Sequence, residues 1–257
     1  MLVLVGDTAG ARPEPLAEAL GMFAGFGGLK LMVPGNHCLW CPRGENSIRR
    51  YEEVLPELAG RHGFALLDHK PVQFGPVGLV GSVGWYDYSF ADRSLGIPDE
   101  FYQAKVAPGA AGELTEFAGL LDRFKGRLSD RAMSIRSRWM DGRHVRLGMT
   151  DREFCRLLAD RLAAQLGDLS PRVERIIAFM HHLPFAELLP EGRPDPVAFA
   201  AAYMGSPIFG QVLLACLKVT DVYCGHSHWH GRHKVGHINV VNVGSTYSSK
   251  RLEVLVV

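Results

Sequence analysis

Apolar residues along this chain come in short runs, and most runs end on a glycine or a polar side chain. The first, "LVLVG" at Leu2 to Gly6, has the length and ending of a buried strand. Helical spacing in "EPLAEALGMFAGF" carries the chain to "LKLMVPG", Leu29 to Gly35, which predicts a second strand. Strand, loop, helix, strand is the order of a parallel α/β unit. "NSIRRYEEVLPELAGRHG" predicts a second helix, broken near Pro56. "FALLD", "KPVQFG" and "VGLVGSVGW" are short β-rich pieces between Gly and Pro turns. From about 91 to 167 the pattern turns polar and helical. "RVERIIAFMHH", Arg172 to His182, returns to a buried strand. "FGQVLLACLKVTDVYCGHSH" predicts a helix and then a strand, and "VGHINVVNVGS" and "RLEVLVV" predict closing β-segments.

The polar residues that follow these apolar runs form a set: Asp7, Asn36, His37, His181, His182, His226 and His228. Parallel strands would bring all of them to one rim, the place where open α/β sheets bind ligands. Carboxylate, amide and imidazole without thiolate suit Mn²⁺, Fe or Zn²⁺. Asp7 can bridge two cations, and Ser227 spaces two imidazoles that can face different ions. A single Gly-Asp is ordinarily a turn or a helix cap. The ordered series, each member at a strand end, carries the metal reading.

Composition narrows the picture. The 257 residues, 47% of them hydrophobic, suffice for one large α/β domain. We expect a single domain over 1–257, with a mainly helical insert at about 91–167. The formal net charge of +1 names no partner. No uninterrupted apolar run reaches the roughly 18 residues of a membrane span. "MLVLVGD" meets Asp7 too early for a signal-peptide core, so the expected location is cytoplasmic. The five cysteines do not suggest a secreted disulfide framework. Cys38 and Cys41 form one C-x-x-C with no second to complete a zinc site, and they are read as ordinary thiols. Between Asp122 and Arg156 there are ten Lys/Arg against five Asp/Glu. Solvated helix faces explain that excess better than a cap that draws in anions.

Taken together, "GD" at Gly6-Asp7, "GNH" at Gly35 to His37, "MHHLP" at Met180 to Pro184 and "GHSH" at Gly225 to His228 resemble the calcineurin-like metallophosphoesterases. "NVVNVGS" is similar to that family's closing segment. The resemblance implies an α/β fold, a four-layer α/β/β/α sandwich of two mixed sheets. It implies hydrolysis of a phosphomonoester or phosphodiester by a metal-activated hydroxide, with two divalent ions per intact site (Mn, Fe or Zn). Asp7 would bridge the ions. Asn36, His226 and His181 (in preference to His182) would complete one site, and His228 would belong to the other. His37 would bind no metal and would stabilise charge or protonate the leaving oxygen.

Two departures from the family pattern stand out. Cys38 takes the place of the acid after G-N-H. No D-x-H precedes "LVLVGD", so the family's first strand is apparently missing and one metal site lacks its Asp and His. An upstream start, or a degenerate non-catalytic relative that binds a phosphorylated ligand or a protein, would each account for this. The default ligand is a small phosphorylated substrate. Neither a membrane nor an extended nucleic acid is expected, because no long basic stripe is present. His182 and Arg43 are candidates for substrate contact, as are Arg143, His144 and Arg146 of the insert. In "GWYDYSF", Gly84 to Phe90, packing between sheet and insert is the expected use of the aromatics.

Overall fold

A computed structural model describes residues 1–8, 10 and 12–255. Among the described residues, nine strands form two sheets. The smaller sheet has the order β1-β2-β3, from Leu2–Val5, Lys30–Val33 and Phe64–Leu66, and is parallel throughout. The larger has the order β4-β5-β6-β7-β9-β8. Its strands are Val72–Phe74, Val77–Ser82, Arg175–Met180, Val219–Cys224, Gly231–Val235 and Ile238–Asn242. β5, β6, β7 and β9 run parallel, and the outer pairs β4-β5 and β9-β8 are antiparallel. β1 lies at an edge of its sheet, and no described strand pairs with its far side.

The period of two decides the layers. Leu31 and Val33 of β2 point one way, into a cluster with Leu79, Ile177, Phe179 and Val241 of the larger sheet. Met32 between them points the other way, into a cluster with Leu16, Leu20, Leu55 and Ala59. The two sheets therefore face each other, and helices cover their outer faces. On the smaller sheet that cover includes Pro13–Gly21. On the larger it is Asp151–Leu169, which buries Phe154, Leu158, Leu162, Leu166 and Leu169 on one stripe. A capping box of Thr150 and Glu153 starts this long helix. Gln165 Nε2 ties it to the end of β3 through the carbonyls of Leu67 (3.0 Å) and Asp68 (2.8 Å).

Two local expectations are corrected. The helix is not broken at Pro56. Ser47–Arg49 continues through a π-turn, Arg50–Val54, into Leu55–Arg61. Proline offers no N–H to the preceding turn, and the wider turn just before it absorbs the mismatch. The tail "RLEVLVV" forms no strand over 251–255, and 256 and 257 lie outside the described residues. β8 already forms the edge beside β9. The tail is instead held by side chains, Glu253 accepting from Arg232.

Half of the ten Lys/Arg between Asp122 and Arg156 are paired with acids. Arg123, Arg131, Arg136, Arg138 and Arg152 each meet a carboxylate. Its aromatic contacts are structural, as expected for "GWYDYSF": Trp85 donates to Asp151 at 2.8 Å and Tyr86 to Asp141 at 3.0 Å. No described helix is long and apolar enough to cross a membrane.

Candidate metal centre

The carboxyl ends of β1, β2, β6 and β7 meet on one rim, and each delivers polar side chains there. Asp7 follows β1, Asn36 and His37 follow β2, His181 and His182 follow β6, and His226 follows β7. Ligand atoms of Asp7, His181 and His226 all lie within 4.8 Å of one another. His181 Nε2 is 3.5 Å from Asp7 Oδ1 and 3.0 Å from Asn36 Oδ1. Asp7 Oδ1 also accepts the backbone N–H of His37 at 3.0 Å, and its Oδ2 lies 3.7 Å from His37 Nδ1.

Glycine makes this convergence possible at two points. A Cβ on Gly6, which has φ of 97°, would sit 1.9 Å from His181 Nδ1. A Cβ on Gly35 would sit 2.0 Å from Asp7 Oδ1. The next loop bends further: His226 and His228 hold positive φ, 66° and 62°, where non-glycine residues are uncommon.

The donor set fits a divalent cation. Burial first, then the neighbouring imidazoles, hold His181 well below the usual histidine range, and His226 is depressed by burial and by His182. Burial pushes His182 down to about 4. These rings are neutral at pH 7 and keep a lone pair for a metal. His226 Nε2 lies 3.2 Å from the Tyr203 carbonyl, so that nitrogen carries the proton and Nδ1 keeps the lone pair. Burial pushes the Asp7 carboxyl up to about 7, against the pull of the His37 N–H. A cation would relieve that burial cost by pairing with the carboxylate.

One residue that sequence reasoning missed organises this rim. Asp141, buried in the insert, accepts four hydrogen bonds. Its Oδ1 takes Asn36 Nδ2 at 2.9 Å and Trp40 Nε1 at 2.6 Å. Its Oδ2 takes Tyr86 Oη at 3.0 Å and Trp139 Nε1 at 2.8 Å. Holding the Asn36 amide by its nitrogen turns the amide oxygen toward His181. Trp40, fixed the same way, packs its ring 3.9 Å from that of His37. Trp139 stacks on Tyr203 at 5.0 Å, and its ring lies edge-on to His226.

The remaining expected residues are placed as follows. His37 and His228 line the cavity over the cluster, and Tyr247 of the C-terminal tail sits against both rings. His228 is not among the described residues that cluster with Asp7. His182 lies behind His226, rings 4.3 Å apart, and its Nδ1 meets the Val83 carbonyl at 2.8 Å. Arg43 is exposed, and neither it nor His182 lines the cavity. Arg146 donates to the Cys41 and Pro42 carbonyls and ties the insert to the loop that carries His37. His144 stacks on Trp40 at 4.6 Å. None of the five cysteines is in a disulfide.

No protein-family model matches this chain, and no curated protein does. Solved structures do. The crystal structure of phosphopantetheinyl hydrolase (PptH) from Mycobacterium tuberculosis aligns with a TM-score of 0.67 at 17% identity, over 94% of this chain and 77% of that one. A putative 5'-nucleotidase from Staphylococcus aureus aligns at 0.44 and 12%, over 94% and 39% of the two chains. A dimetal phosphatase from Danio rerio aligns at 0.39 and 14%, over 96% and 89%. The likeness to PptH establishes a metallophosphoesterase-like fold.

Proposed function

We propose that this chain, whose fold is metallophosphoesterase-like, is a metal-dependent hydrolase of phosphoesters. The carrying observation is the convergence of Asp7, His181 and His226, whose ligand atoms lie within 4.8 Å, with Asn36 Oδ1 alongside. These four residues would hold a divalent cation. Such a cation supplies Lewis acidity at a phosphate oxygen and makes water a stronger acid. His37 is beside that position, 3.7 Å from the Asp7 carboxylate and on the cavity wall. Burial lowers its proton affinity, so it is neutral at pH 7 and can donate through a ring N–H to a developing oxyanion. Trp40 keeps the ring from turning away.

The test is turnover of p-nitrophenyl phosphate and bis(p-nitrophenyl) phosphate with added Mn²⁺ or Zn²⁺, alongside metal content per chain. Hydrolysis that is lost in Asp7→Asn and His226→Ala supports the reading. A well-folded, metal-loaded chain that turns over neither ester overturns it.

A second reading is favoured by one observation. The described acids and imidazoles that cluster are enough for one cation, and His228 stands apart from them. A one-metal relative that binds a phosphorylated ligand without hydrolysing it fits that count. Bound phosphate with no turnover would favour it.

A further inference from the structure

The cavity above the metal cluster has two unlike walls. It encloses about 340 Å³, at the small end of ligand pockets. Asp7, His37, His226 and His228 form the polar wall. The segment after β6 forms the other, through Leu189, Val197, Ala200 and Met204, with Trp139 beside them. These side chains are half-buried, so apolar surface faces the cavity. Such a wall gains by covering hydrocarbon and loses by covering a charge.

Cations are scarce there. Arg193 is the single Lys or Arg among the described lining residues. Its guanidinium donates to the Pro190 carbonyl at 2.9 Å and lies 3.8 Å from Asp92, while its buried Nε has no hydrogen-bond partner. A second anionic group on the substrate would have to draw Arg193 from Asp92 or turn to exposed Lys250, whose charge acts on Asp7 and His228 of the polar wall; Leu189, Val197, Ala200 and Met204 offer it nothing. Trp139 has its indole N–H bound to Asp141 and one face covered by Tyr203. What it adds to the wall is hydrocarbon.

From these walls we infer that the site takes a phosphate ester whose alcohol carries an uncharged, largely apolar chain. The chain lies along Leu189, Val197, Ala200 and Met204 while the phosphate sits at Asp7, His37 and His226. The inference rests on the phosphoesterase reading for its chemistry, and on the cavity alone for its ligand. Nucleoside polyphosphates and sugar bisphosphates fit less well, because each would lay a second charge against the apolar wall.

The test compares n-hexyl phosphate, glycerol 3-phosphate and adenosine monophosphate on the Mn²⁺-loaded chain. KM for n-hexyl phosphate is expected to be at least tenfold below the other two. Val197→Asp is expected to bring the three within about twofold. Met204→Gln keeps the shape of the wall and serves if the aspartate variant does not fold. Equal KM values in the native chain, or a lower KM for the nucleotide, overturn the inference and leave the hydrolase reading standing. If no ester is hydrolysed, calorimetry with n-hexylphosphonate and methylphosphonate decides. Tighter binding of the hexyl compound, weakened by Val197→Asp, supports the subsite without the hydrolase. Equal binding of both compounds overturns it.

Discussion

Asn36 is held at both ends of its amide: the nitrogen donates to buried Asp141 at 2.9 Å, and the oxygen lies 3.0 Å from His181 Nε2. The orientation of a candidate ligand is thus set by a carboxylate 105 residues away in sequence. Partners of this kind are worth about 10–100-fold in metal affinity. Asp141→Asn is expected to weaken Mn²⁺ binding by that factor in titration calorimetry. It also disturbs the pairing of Trp40, Tyr86 and Trp139, at about 1–3 kcal/mol for each buried donor left unpaired. A variant that unfolds more easily yet binds Mn²⁺ with native affinity would count against the orienting role.

His37 touches Asp7 and the cavity but is outside the three-residue cluster. His37→Ala is therefore expected to lower kcat by about 10²–10⁴. Metal content per chain should stay at the native value. Loss of metal along with activity would make His37 a ligand instead.

Gly35→Ala tests the close approach of β1 and β2. The added methyl would meet Asp7 Oδ1 at 2.0 Å and the Asp7 backbone nitrogen at 2.5 Å. One loop must move, and the carboxylate with it. The expected result is at least tenfold weaker Mn²⁺ binding in a chain whose far-ultraviolet circular dichroism is unchanged. Native affinity would show that the rim tolerates the shift.

Asp68 gives a pH prediction away from the metal. Its carboxyl is fully buried, and burial lifts its pKa from 3.8 to about 7, despite hydrogen bonds from Tyr51 and the Val83 N–H. A raised pKa means that the folded state holds the proton more tightly than the unfolded chain. The stability this confers is complete below about pH 4 and is lost as pH rises through about 7. Urea unfolding of the metal-free protein should show that loss, at up to about 1.4 kcal/mol per pH unit. Asp68→Asn should lower the slope by one group's share, because burial lifts the metal-free Asp7 carboxyl to about 7 as well. Equal slopes in both proteins would place the proton elsewhere.

Much of the rim was legible in sequence because each of its polar groups directly follows a run of strand-forming residues. Asp7, Asn36, His181 and His226 needed only the assumption of parallel strands to be brought together. Asp141 had no such marker. It lies in "SRWMDGRH", where the local pattern says only polar helix, and its partners come from three separate segments. The tail misled for a related reason. "RLEVLVV" alternates like a strand, but alternation does not say whether a sheet edge is free to receive it. Pro56 misled because one π-turn lets a helix pass a proline that a regular α-helix would not.

The backbone at His226 and His228 also constrains the future of this loop. Both residues sit at positive φ, a region that glycine enters freely, asparagine and aspartate with modest cost, and β-branched residues hardly at all. A descendant lineage in which this loop met neither metal nor substrate would have no reason to keep two imidazoles. It would still inherit the turn. Its neutral drift at these two positions should therefore run toward Gly, Asn and Asp and shun Val, Ile and Thr, leaving the bend in place after both imidazoles are gone.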